Sequence, residues 1–146
     1  MFDIKNEELT FTVSPFERVI DNEIDPEHHH WDWIKSFIEF SVPGLTAQFQ
    51  TEFTVGELQT LRKQFSAHYD ALITRREIKP FEFRSERRQL NMIIRKMAGT
   101  DSVIIEYELR PEAHADSVQV KGDFSINESY FADILKRLDE MIAWVS

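Results

Sequence analysis

Three consecutive histidines, His28, His29 and His30, run into Trp31, Asp32 and Trp33 in the stretch EHHHWDWIKSFIEF (27–40). Imidazole is the commonest metal-binding side chain. In an extended chain His28 and His30 would point the same way, about 6.6–6.8 Å apart. Such a pair could share a metal if Asp25, Glu27 or Asp32 supplied a third ligand. The cluster, however, ends a polar run, DNEIDPEHHH (21–30), that contains Pro26, and no ligand spacing recurs elsewhere. Polar, proline-containing runs form loops. The expectation is a solvated loop leading into a strand, with no metal and no cofactor. A metal-dependent enzyme built on His28 and His30 is the third choice among the functions considered below.

Other chemistries find less support. His68 falls near an apolar helical stripe, where a histidine bonded to backbone is expected, and His114 lies in an acidic loop. Paired glycosidase acids must face each other across a cleft, and no spacing here sets that up. G-x-S-x-G, P-loop and G-x-G-x-x-G motifs are absent. Arg75, Arg76, Lys79, Arg84, Arg87, Arg88, Arg95 and Lys96 form a basic segment over 75–96 in an otherwise acidic chain. A solvated face, partly salt-bridged to neighbours, is expected there.

Trp31 and Trp33 carry more information. They share strand parity with Lys35, Phe37 and Glu39, opposite the apolar set Ile34, Ile38, Phe40 and Val42. Aromatic side chains with a polar handle are enriched at interface cores. If helices cover the Ile34 face, then Trp31 and Trp33, with the acids Asp32 and Glu39, mark an open face that would contact a protein partner. The alternative is that the N-terminal segment folds over the tryptophans.

The composition narrows the partner. The chain has 146 residues, no cysteine, four glycines, five prolines and a formal net charge of −9. That length corresponds to a single domain, 1–146, large enough to bury its own core. Without cysteine there is no disulfide, thiolate site or cysteine nucleophile. A negative balance disfavours nucleic acid and anionic membranes and suits a basic protein. The acidic start MFDIKNEELTF has no signal-peptide pattern, and no apolar run reaches the ~18 residues of a membrane span, so a soluble, cytoplasmic chain is expected.

The elements that would position these residues follow from periodicity. LTFTVSPFERVI (9–20) reads as a first strand or hairpin. WDWIKSFIEFSV (31–42) and LTAQFQTEF (45–53) alternate on either side of Pro43-Gly44, which predicts an antiparallel hairpin with Leu45, Ala47, Phe49 and Phe53 inward. Thr54 and Glu57 form a capping box before Leu58, Leu61, Phe65 and Leu72, which predicts a helix over 55–74. Short strands follow: one with Phe81 and Phe83 on one side, then LNMIIRKM (90–97), VIIEYELRP (103–111) and VQVKGDFSI (118–126), the last with Val118, Val120, Phe124 and Ile126 inward. Asn127 caps a second helix whose stripe is Phe131, Ile134, Leu135, Leu138, Met141, Ile142 and Val145, with Asp133–Arg137 and Lys136–Glu140 as i,i+4 pairs. The expected fold class is α+β: a mainly antiparallel meander sheet of about six or seven strands, with two amphipathic helices packed on one face.

Taken together, WDWIKSFIEFSVPGLTAQFQTEFT, TVGELQTLRKQFSAHYDAL, VIIEYELRP and VQVKGDFSINESYFADILKRLDEMI resemble, in pattern and order, the bacterial immunity proteins of the WapI type. The similarity runs from about Phe11 to the C-terminus; the segment 74–97, more basic than the pattern implies, departs from it most, and the polar loop 21–30 also departs. The resemblance implies a non-catalytic protein that masks a contact-dependent toxin of its own cell. The acidic balance fits such a role, since charge complementarity speeds encounter with a basic toxin domain. The runner-up function is a structural or regulatory interaction module of another partner. Oligomeric state is left open.

Overall fold

The computed structural model describes residues 1–24, 26–114 and 118–145. Strands β1 (Phe2–Lys5), β2 (Thr10–Val19), β3 (Trp33–Val42) and β4 (Leu45–Thr54) form one antiparallel sheet in chain order. Helix α1 (Val55–Thr74) follows, and β5 (Phe81–Arg84), β6 (Leu90–Lys96), β7 (Ser102–Leu109) and β8 (Val120–Asn127) form a second, again in chain order. Helix α2 (Phe131–Ile142) comes last.

The α+β class and the antiparallel meander are as expected. The architecture is richer than a single sheet of six or seven strands: there are two sheets of four. The α1 helix breaks the meander, so the chain returns as a new sheet rather than as a fifth neighbour of β4. Strand β1 escapes a periodicity search because only Phe2 and Ile4 carry its inward face.

Local chemistry explains the boundaries. Gly44, at φ +85°, takes the left-handed position of the β3–β4 turn, which L side chains rarely adopt. The Thr54 hydroxyl accepts the Glu57 N–H at 3.1 Å, and the Glu57 carboxylate accepts the Thr54 N–H at 2.8 Å, so the capping box is complete. At the other end of α1, Arg75 adopts the left-handed conformation and returns its N–H to Ala71. Asn127 caps a short 3-10 turn, Glu128–Tyr130, which leads into α2. Arg137 pairs with Asp133 at 3.6 Å as expected, whereas Glu140, expected to pair with Lys136, lies 3.5 Å from Arg137 instead.

The two helices serve both sheets. Phe2, Val13 and Phe53 from the first sheet, Leu58 and Leu61 from α1, Leu138 and Met141 from α2, and Leu90 and Met92 from the second converge on one void of about 10 Å³. That is barely one water in size. Phe65 of α1 meets Phe131 of α2 edge-on at 6.1 Å, and Tyr69 stacks on Phe131 at 5.3 Å. Elsewhere the inner faces touch directly, with the rings of Phe40 and Tyr107 at 5.1 Å. Burying each such side chain contributes about 1.5–3 kcal/mol. Leu45, Val118 and Val145, read as inward-facing, are exposed. Leu45 follows the Gly44 turn directly, Val118 precedes β8, and Val145 lies beyond α2.

Candidate protein-binding surface

The alternation of β2, β3 and β4 leaves one face of the first sheet outside the core. Cross-strand register sets its rows: Asp3, Thr12, Glu39 and Gln48 form one; Ser14, Phe37 and Gln50 the next; then Glu17, Lys35 and Glu52; then Val19, Trp33 and Thr54. Trp33 is half-buried on this face, as its parity predicts. The Arg87 guanidinium lies 4.5 Å from its ring centroid and pairs with Glu52. Glu39 is exposed in its row, and Lys35 pairs with Glu17 at 3.1 Å.

Trp31 and Asp32 differ from the expectation that all four residues share one open face. Strand β3 starts at Trp33, so Trp31 stands in the preceding turn, 44% exposed, beside His30 and the first turn of α1. Asp32 is fully buried. Its Oδ2 accepts Arg18 Nε at 2.9 Å and lies 2.8 Å from Arg18 Nη2, and its Oδ1 accepts the Asp21 N–H at 2.9 Å. His29 Nδ1 stands 3.3 Å from Oδ2. A carboxylate with its lone pairs so engaged is a structural anchor and is not available to a partner. Burial by itself would raise its pKa; the Asp21 N–H, Arg18 and His29 outweigh burial and hold it below the usual carboxylate range.

Arg18 escapes sequence reasoning because of a β-bulge. The register shifts between Pro15 and Glu17, so Arg18 comes to pair with Ile34 on the inner face. From there Nη1 donates to the carbonyls of Ile142 and Trp144, both at 3.0 Å, closing the C-terminal end of α2. One signal was present: Arg18 is the only Lys or Arg between Lys5 and Lys35.

The histidine run is a turn, and its backbone caps a helix. His30 O accepts the Gly56 N–H at 2.8 Å and Asp32 O accepts the Val55 N–H at 2.9 Å, which satisfies the first amides of α1. His29 adopts φ +56°, and the rings of His28 and His30 stack at 5.4 Å. Among the described residues, no three His, Asp or Glu side chains gather closely enough to share an ion; Asp25, one of the third ligands considered, lies outside those residues. His68 is buried and its Nδ1 donates to Gln64 O at 2.9 Å, the expected backbone partner. The basic segment is partly paired, as expected: Arg76 with Asp70, Arg84 with Glu82 at 2.5 Å, Arg87 with Glu52, and Arg95 with Glu106 at 3.6 Å.

The face therefore offers a half-buried tryptophan, a central phenylalanine and acids. Over its entire length, residues 1–146, the chain matches the Immunity protein WapI-like family. It belongs to that family. No curated protein matches it. Among the described residues, no helix of this WapI-like protein is long and apolar enough to cross a membrane.

Proposed function

We propose that this WapI-like chain is a non-catalytic, cytoplasmic immunity protein, one binding domain that attaches to a toxin protein and masks it. The observation that carries the proposal is the family match across the whole chain. Geometry supplies a surface consistent with it: the outer face of the first sheet, with Trp33 as aromatic anchor and Glu39 in an acidic rim. An anchor packed by a neighbouring guanidinium loses little side-chain freedom on binding, which favours affinity. A formal charge of −9 favours encounter with a basic toxin domain. The test is binding between the purified chain and the product of the adjacent reading frame. Stable 1:1 association that abolishes the toxicity of that product is expected. A wild-type chain that binds no neighbouring gene product would return the protein to the class of general interaction modules.

A further inference from the structure

We propose that the loop after β2, with Val19, Ile20, Ile24 and Trp31 as its apolar contacts and Asp21, Glu23 and Glu27 as its acidic flank, is a docking surface for the basic, apolar-centred face of a protein partner. This rests on the immunity reading above and names a second part of the same interface.

Single exposed apolar side chains are ordinary, but a cluster of them marks a contact surface. Here Val19, Ile20 and Ile24, 40%, 55% and 64% exposed, follow one another closely in the chain, and Trp31, 44% exposed, stands at the far end of the loop beside the first turn of α1. Both ends of the loop are held in place. The Asp21 N–H is fixed to buried Asp32, and the Asp21 carboxylate in turn accepts the N–H groups of Glu23 and Ile24, at 3.0 and 3.1 Å. The far end of the loop is pinned to α1 through His30 O and Asp32 O. A surface so fixed at both ends loses less entropy when a partner settles on it.

Two observations choose the occupant. Val19 stands opposite Trp33 in the β2–β3 ladder, so the loop continues the candidate sheet face. The second is charge. Arg18 is the only Lys or Arg between Lys5 and Lys35, and it is spent on Asp32, while Asp21, Glu23 and Glu27 stand on the loop with no Lys or Arg among them. The complementary surface is therefore cationic around an apolar centre, as at other interfaces with a dry core and charged rim.

The experiment measures binding kinetics of the full chain against the toxin domain encoded by the adjacent reading frame, with each variant first shown by thermal melt to be folded. Ile20→Ser with Ile24→Ser should weaken the complex by about tenfold or more, mainly through faster dissociation. Glu23→Lys with Glu27→Lys should slow association several-fold at low salt, with most of the effect gone at about 1 M salt. Ile73→Ser, equally exposed at 55% but on α1, should leave affinity unchanged. If the wild type binds and both loop variants bind as tightly, this surface is wrong and the sheet face stands alone. If Ile73→Ser weakens binding as much as the loop pair does, the contact is general stickiness and the proposal fails. If the wild type does not bind at all, the immunity reading fails and takes this surface with it.

Discussion

Arg18 sets Nε and Nη2 on one buried oxygen of Asp32, at 2.9 and 2.8 Å, and turns Nη1 to the carbonyls that end α2. One ion pair thus ties three segments distant in sequence: the end of β2, the entry to β3 and the end of α2. Because Asp32 O also caps α1, both helix ends nearest this corner depend on the same residues. The pair is largely enclosed, with 12% and 1% of its side chains exposed.

Removing one member of a buried pair leaves an uncompensated charge, which costs about 3–5 kcal/mol. Arg18→Ala should lose that much, because the Asp32 carboxylate then keeps only the Asp21 N–H and His29. The double variant Arg18→Met with Asp32→Leu should lose less than the sum of its singles. Urea denaturation of the full cycle measures this. Additive singles, each below about 1 kcal/mol, would show that the pair does not hold this corner together.

Titration follows with a definite sign. The Asp32 carboxyl is lowered in the fold, so its contribution is present above its unfolded value of about 3.9 and disappears as pH falls through the lower folded value. Glu57 runs the other way: burial raises it, against the opposing donation of the Thr54 and Glu86 N–H groups. Its contribution favours the fold in acid and fades as pH rises through the folded value. Asp32→Asn should therefore flatten the acid limb of stability measured by urea midpoints between about pH 2 and 6. An acid limb as steep as the wild type's would assign acid lability to other carboxyls.

Leu138 tests how the helices dock. It is 1% exposed and lines the small void shared by both sheets and both helices. Leu138→Ala should cost about 2–5 kcal/mol through the enlarged cavity. A loss below about 0.5 kcal/mol in chemical denaturation would mean that α2 is not seated between the sheets.

Most of the scaffold was legible because its signals are local. The capping box at Thr54 and Glu57, the alternation around Pro43-Gly44 and the α2 stripe each act within a few residues, and each element formed where its signal lay. The division into two sheets was not legible, since no local rule says which strands pair across a helix. The candidate surface divided in the same way. Parity placed Trp33 and Glu39 correctly on the outer face of β3, but Asp32 looked like their surface neighbour. Its burial depends on Arg18, and Arg18 faces inward only because of a bulge at Phe16 that strict alternation does not anticipate.

Trp33 and Glu39 supply the functional test. Trp33 carries apolar area at one end of the open face, while Glu39 stands three rows away and contributes charge. The two should fail in different ways. Loss of a buried aromatic anchor commonly costs about 2 kcal/mol or more, so Trp33→Ala should weaken the complex with the adjacent gene's toxin domain about thirtyfold or more, mainly by faster dissociation. Glu39→Lys should slow association most at low salt and little at high salt. Because Arg87 stacks on Trp33, the ring's removal also frees a guanidinium, and Arg87→Ala separates the two effects. If Arg87→Ala alone reproduces the loss, the ring acts by positioning the arginine. If folded Trp33→Ala and Glu39→Lys both bind as the wild type does, the outer sheet face is not the interface, and contact must be sought on the loop after β2 or on the basic 75–96 segment.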